Sequence, residues 1–255
     1  DIDKYSKYVN KKGLKSALWS NTEMTVNPKK AIYQLVKWLG EQTKVTQFFG
    51  IDVQHVETGR LETSRGQFFA TQILICSGHE FQTLFPEELE KSGLIQSKLQ
   101  MMRSYPIAEK NFGATLCGGL TLTHYASFAQ CNTLNKLNER IEHEMPEYKK
   151  WGIHVMVNQN DDGELIIGDS HEYGFGFDPF NKDEINQLIL AYLSSFLSIK
   201  DFKIKETWHG VYSKHPEKTE VIINPMEGVR IVTGLSGAGM TLSFGLAKEQ
   251  KEWFK

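Results

Sequence analysis

The strand-like run Val229-Arg230-Ile231-Val232-Thr233 leads directly into Gly234-Leu235-Ser236-Gly237-Ala238-Gly239, and Met240 to Glu252 then reads as a helix. A strand that turns on three glycines into a helix is a feature of α/β folds. Glycine allows positive φ and lets a ligand approach the backbone closely. The start of the helix presents unpaired N–H groups and positive potential, a setting suited to a phosphate or another group bearing negative charge. A tight connection with no ligand has the same spacing, so the turn alone leaves both readings open. The spacing differs from the dinucleotide fingerprint G-x-G-x-x-G, which occurs nowhere in the chain.

Composition narrows the class further. With 255 residues, 40% hydrophobic and 24% charged, the chain has the balance of an ordinary globular protein. Lys and Arg number 29 against 31 Asp and Glu, and a net charge of −2 gives no support to nucleic-acid binding. No apolar run is long enough to span a membrane. Cys76, Cys117 and Cys131 form no C-x-x-C pair, which predicts free thiols and a cytoplasmic setting. Asp1 to Asn10 is polar and reads as the tail of a helix, where an α/β enzyme normally opens on an apolar strand. The chain is therefore expected to be a fragment of a longer protein.

Along the chain, Asn27-Pro28 predicts a helix start, with Ile32, Leu35, Val36 and Leu39 on a buried face and Gly40 at the end. Strand-like runs follow at Val45 to Phe49, Ile51 to Glu57 and Gln67 to Ala70, with Gly59 and Gly66 as turns. Ile73 to Cys76 reads as a fully apolar strand that Ser77-Gly78 ends. The middle predicts strands at Leu99 to Ser104, Ala114 to Thr123, Ile153 to Asn158 and Glu164 to Asp169, with Asp161-Asp162-Gly163 as a hairpin turn. Leu134, Leu137 and Ile141 mark one helix. A second runs from Asn181 to Leu197, with Asn181 and Glu184 as a capping box and a stripe of Ile185, Leu188, Ile189, Tyr192, Leu193 and Phe196. Successive hairpins imply an antiparallel sheet with helices on one side.

Four segments in this order carry a resemblance. Thr22-Glu23-Met24 to Asn27-Pro28 resembles a strand-then-helix entry, Gly59 to Gly78 a T-x-x-G … A-x-x-x-x-x-x-x-G passage, Trp208 to Tyr212 a strand flanking the flavin, and Gly234 to Leu242 a flavin-contacting loop and helix. The set is similar to the D-amino-acid oxidase and sarcosine oxidase superfamily of FAD-dependent oxidoreductases, nearest to a bacterial branch associated with organophosphonate metabolism. It implies an α/β plus α+β fold: part of an FAD-binding Rossmann-like domain (1–95 and 226–255) around an inserted antiparallel-sheet substrate domain (96–225). The implied activity is oxidation of a C–N bond in a small amine, amino acid or aminophosphonate, with hydride transfer to flavin and O2 or another carrier as electron acceptor.

By the same resemblance, Val53, Ser77, Gly78, Gly234, Leu235, Ser236, Gly237, Ala238, Gly239, Met240 and Thr241 would hold FAD. Gly210 stands where sarcosine oxidases attach flavin through cysteine, which implies non-covalent binding. Tyr212, Thr241 and Ile166 stand where relatives carry a carboxylate-binding arginine, a carboxylate-binding lysine and an O2-activating lysine. That pattern points away from a simple amino-acid oxidase and leaves a dehydrogenase open. His209 and Tyr212 share the flanking strand and are the candidate catalytic residues. His154, His171 and Lys214 are candidate substrate residues, with His154 and His171 placed to face each other across a hairpin. Lys98, Arg103 and Lys214 are candidate anion ligands, each more simply read as a solvated charge. Neither H-E-x-x-H nor a Cys-His cluster occurs, so no metal site is expected. No G-x-S-x-G elbow occurs either. The alternative reading is a non-catalytic fragment or partner-binding subunit of such an enzyme.

Overall fold

The computed structural model describes residues 2–108 and 111–254. In chain order the elements are α1 (Pro28–Gly40), β1 (Val53–Glu57), β2 (Arg60–Thr63), β3 (Gly66–Phe69), β4 (Ile73–Ile75), α2 (Pro86–Lys91) and β5 (Ile95–Pro106). Next come β6 (Leu116–Cys117), α3 (Thr121–His124), α4 (Leu134–Glu144), α5 (Pro146–Lys150), β7 (Met156–Gln159), β8 (Glu164–Gly168) and β9 (Glu172–Gly174). The chain closes with α6 (Asp183–Phe196), β10 (Ile204–Lys214), β11 (Val221–Met226), β12 (Val229–Thr233) and α7 (Gly239–Glu249). Contacts gather these into two compact units: Asp1–Leu39, Lys98–Glu172 and Phe177–Gly210 in one, Gly40–Ser97, Tyr173–Gly176 and Val211–Lys255 in the other.

The second unit is built on a three-stranded sheet of order β11-β12-β4. β11 and β12 form an antiparallel hairpin, whereas β12 and β4 run parallel, with Val229 opposite Ile73 and Ile231 opposite Ile75. Ile73, Ile75, Val221, Val229 and Ile231 pack with Val56, Leu89 and Leu94 into its core. β4 is buried on one face only: Ile73 and Ile75 point into this core while Leu74 between them is exposed. The strand expected at Ile73 to Cys76 forms as Ile73–Ile75, and its burial is limited to Ile73 and Ile75 by the two-residue alternation of a strand. β1, β2 and β3 form a separate antiparallel meander.

The first unit carries most of an antiparallel sheet of order β10-β5-β8-β7-β6. The Asp161-Asp162-Gly163 turn joins β7 to β8 as expected, with Gly163 at φ 80°. α6 lays Ile185, Ile189 and Leu193 onto Val155, Val157, Leu165 and Ile167 of the sheet, all nearly inaccessible to solvent. Its spacing of four residues along one face is the reason the helix and sheet dock.

Several expectations fail locally. α1 forms where Asn27-Pro28 places it, but none of its residues is buried and Ile32 and Leu35 are exposed. A periodic apolar face shows a helix able to bury one side and does not supply the cover. Residues 22–26 and 45–49 carry no strand, and Ala114 to Thr123 holds only the two-residue β6 before turning into α3. The glycine pair Gly118-Gly119 breaks that run. The α6 capping box is absent: Lys182 is the cap residue, and Asn181 Oδ1 instead meets His209 Nδ1 at 3.0 Å. Ile2–Lys4 is a short 3-10 turn rather than the tail of a helix, and Val9 is buried with a bridge to Leu197. Asp1 lies outside the described residues.

Two substitutions test this division of burial. Ile189→Ala should lower unfolding free energy by ~2–5 kcal/mol, and Ile32→Ala should change it by less than ~0.5 kcal/mol. Urea titration followed by circular dichroism measures both. Equal losses would show that the α1 face is covered after all.

Candidate functional site

The ends of the parallel strands β4 and β12 lie side by side, so the turns that follow them also meet. Thr233, the last residue of β12, donates its hydroxyl to Gly78 O at 2.7 Å. Ser213 of β10 lies 3.0 Å from Thr233 Oγ1 and accepts the Gly234 N–H at 3.1 Å. Because Thr233 spends its proton on Gly78, Ser213 must donate to Thr233. The result is a chain of hydrogen bonds running from Gly234 N–H through Ser213 and Thr233 to Gly78 O. Both hydroxyls are buried, where an unpaired polar group would be costly. The relay fixes the glycine turn against the Ser77-Gly78 turn.

The turn itself needs its first glycine. Gly234 has φ 82°, and a Cβ there would stand 3.0 Å from Leu94 Cδ2 and 3.3 Å from Val221. Ser236 also takes positive φ, at 55°. At Gly239, where α7 begins, a Cβ would meet only Leu235 Cβ at 4.0 Å. No side chain caps α7, and a 3-10 turn, Ser236–Ala238, leads directly into it.

Above this turn opens a cavity of about 510 Å³, a usual size for a small-molecule site. Gly78, Tyr212, Gly234, Leu235, Ser236 and Gly239 line it, so six of the sequence-expected residues come together. Leu74, Cys76, His79, Val232 and Leu246 line it too, and sequence reasoning missed them. Strand parity was the available signal: Leu74 and Cys76 alternate with the core residues Ile73 and Ile75. Burial pushes the Cys76 thiol up, so it stays protonated at neutral pH. Among the described lining residues there is no lysine or arginine.

The other expected residues fall elsewhere. Gly237 lies beside Tyr212, with a Cβ position 3.6 Å from Tyr212 Oη. Ala238, Met240 and Thr241 belong to the turn and first helical positions without lining the cavity. Ser77 turns its hydroxyl to Glu80 O at 3.3 Å, and Val53 packs partly buried in the β1 meander. His209 and Tyr212 are three apart on β10, which on a regular strand puts them on opposite faces, and His209 is not in the cavity lining. Lys214 donates to Tyr173 Oη at 3.1 Å and sits over that ring at 4.3 Å.

The presumed solvated cations are otherwise employed. Lys98 is buried and donates to the carbonyls of Asp178 and Phe180 at 2.5 and 2.9 Å. Arg103 pairs with Glu206 at 2.7 Å and Glu164 at 3.2 Å.

In the first unit the rings of His154 and His171 do face each other, 5.0 Å between centroids and 17° from parallel. A third imidazole, His124 at the end of α3, joins them at 3.7 and 4.4 Å. Sequence reasoning missed it, since no spacing links α3 to the hairpin. Burial, then the neighbouring His124 and His171, push His154 down to about 2. Burial raises Asp169 to about 7. The 3.2 Å approach of His154 Nε2 to Asp169 Oδ1 therefore joins a neutral imidazole to a carboxyl group.

A parallel strand pair whose carboxyl ends carry a glycine turn and an apolar cavity is a usual ligand-binding arrangement of α/β folds. The family model of the FAD dependent oxidoreductases (DAO) matches residues 2–253, and the chain belongs to that family. Glycine oxidase from Geobacillus kaustophilus superposes with a TM-score of 0.53 at 14% identity over 76% of this chain and 45% of its own. L-proline dehydrogenase from P. horikoshii superposes with a TM-score of 0.54 at 14% identity over 76% of this chain and 46% of its own. The chain thus spans under half the length of either, and at this identity the likeness is one of fold. No curated protein matches it significantly in sequence.

Thr233→Val keeps the side-chain shape and removes the central hydroxyl of the relay. It takes the hydroxyl donor from Gly78 O and the acceptor from the Ser213 hydroxyl, so stability should fall by ~1–3 kcal/mol. A loss below ~0.5 kcal/mol in chemical denaturation would show the relay to be incidental.

Proposed function

We propose that the complete protein is an FAD-dependent oxidoreductase that converts the C–N bond of a small amine, amino acid or aminophosphonate to an imine. In this reading residues 1–95 and 226–255 serve the cofactor and 96–225 the substrate. The observation that carries it is the apolar cavity over the glycine turn, with Gly239 at the start of α7 in its lining.

The residues present suit the flat ring system of a flavin. Leu74, Val211, Val232 and Leu246 offer apolar walls, and Gly234 and Gly239 bring the backbone close without side chains. The start of α7, with Gly239 in the lining and Met240 and Thr241 next in the same turn, would offer positive potential to a ring that gains negative charge on reduction. Gly237 keeps the space beside Tyr212 clear, and Tyr212 would contact the ring from β10. Ser77, Gly78 and Val53 would serve the remainder of the dinucleotide. When bound, flavin supplies the hydride acceptor, and the protein's part is to orient the amine and exclude water. Gly210 on β10 offers no thiol, which supports non-covalent attachment. The electron acceptor in this reading is O2 or another carrier.

The pyrophosphate of a dinucleotide normally rests on a glycine-rich first turn, and no G-x-G-x-x-G occurs in these 255 residues. Among the described residues β4 pairs on one side only, with β12. Taken alone, these residues should bind FAD weakly or not at all. Isothermal titration of the 255-residue chain that gave full FAD occupancy would overturn that.

In the full-length enzyme, Gly239→Val should weaken flavin by at least about tenfold, equivalent to ~1.4 kcal/mol, while the melting temperature of the flavin-free protein stays the same. The open space around Gly239 makes this test selective, since a Cβ there meets only Leu235 Cβ, at 4.0 Å. Retention of both flavin and turnover would reduce the loop to a strand-to-helix connection and favour a partner-binding role.

A further inference from the structure

The imidazoles of His124, His154 and His171 are drawn together from the end of α3, the residues before β7 and the turn after β8, and their grouping goes beyond the substrate roles expected of His154 and His171 one by one. One ring nitrogen of each lies within 4.8 Å of the other two. We propose that His124, His154 and His171 bind one divalent transition-metal ion of the zinc, nickel or copper class.

Imidazole holds such ions at about 2.0–2.1 Å, which puts two ligand nitrogens of one ion roughly 3.4–4.1 Å apart. The present spacing therefore closes on an ion by side-chain rotations of under about 1 Å. The backbone beneath is already fixed. His154 and Asp169 exchange N–H···O=C bonds at 3.2 and 3.0 Å, and His171 N–H donates to Trp151 O at 2.8 Å.

An outer partner sets the tautomer of His171. His171 Nδ1 lies 3.0 Å from Gly152 O, and since a carbonyl only accepts, Nδ1 carries the proton and Nε2 the lone pair. Asp169 Oδ1 lies 3.2 Å from His154 Nε2, which places a carboxyl group within reach of the ring. A carboxylate or carbonyl behind each ligating histidine is the usual support of such sites.

An independent observation also points to a ligand. His154 is 3% exposed, yet neither of its ring nitrogens makes a hydrogen bond, and the 3.2 Å approach of Asp169 Oδ1 to Nε2 lacks the geometry of one. Packing of three rings by itself would be served by phenylalanine and leaves these polar atoms unexplained. His124 is only half-buried, so an ion has a path in and solvent can fill a remaining coordination position. The expectation that no metal site exists rested on linear motifs. A site assembled from the end of α3, the residues before β7 and the turn after β8 has none to show.

The chain should be stripped with a chelator and titrated with Co2+ and then Zn2+, with bound metal counted by elemental analysis. The expected result is one ion per chain, cobalt bands of an imidazole-ligated centre, and a zinc-dependent rise in melting temperature. His124→Ala, at the accessible edge of the cluster, should weaken binding by at least about tenfold and remove the thermal shift. His154→Gln tests the buried position. His143→Ala, on α4, should leave all three readouts unchanged. If wild type and His124→Ala bind alike, or neither binds, the proposal fails. The readout needs no flavin, so its failure would leave the oxidoreductase reading untouched.

Discussion

The parallel pairing of β4 with β12 is the constraint from which the candidate cofactor site follows. Two parallel neighbours cannot be joined by a hairpin, because the chain must return to the same end before it can run the same way again. Here the return holds everything from Ser77 to Gly228, including the entire antiparallel sheet. What the pairing achieves is adjacency of two carboxyl ends, and α/β proteins place their ligands beyond such ends. The Ser77-Gly78 turn and the Gly234 turn are far apart in sequence and share a boundary only through this register.

Hydroxyl groups then convert adjacency into a fixed geometry. Ser213 and Thr233 each both give and receive a hydrogen bond, so the three strand ends β4, β10 and β12 hold one arrangement. Around this polar seam the cavity is apolar, a combination that suits a flat heterocycle bound by its faces and oriented by backbone groups at one edge.

The sheet unit solves a different problem. Its core of α6 against β7 and β8 is apolar, but its rim buries Lys98, Glu164, His154 and His171. Lys98 and Glu164 are matched by carbonyls, arginine, lysine and asparagine, and so belong to the structure rather than to a ligand. The histidine cluster stands apart because one of its members is buried with its nitrogens unmatched.

The sequence by itself determined the elements whose signal is local: α1 from Asn27-Pro28, α6 from its four-residue stripe, the β7–β8 hairpin from Asp161-Asp162-Gly163, and the β12 to α7 glycine turn. It also carried the family, through motifs in a given order. It misjudged Ala114 to Thr123, where a glycine pair outweighs strand propensity, and Asn181, whose side chain serves His209 instead of a helix cap. Tertiary structure alone decided which faces are covered, so α1 kept its periodicity and lost its expected burial. It also decided that Leu74 and Cys76 turn to the cavity, that His209 and Tyr212 part company across a strand, and that His124 joins His154 and His171. The physical reason is common to all of these. Helix and turn signals depend on neighbours within a few residues, whereas burial, cavities and side-chain clusters depend on chain segments that only the fold brings together.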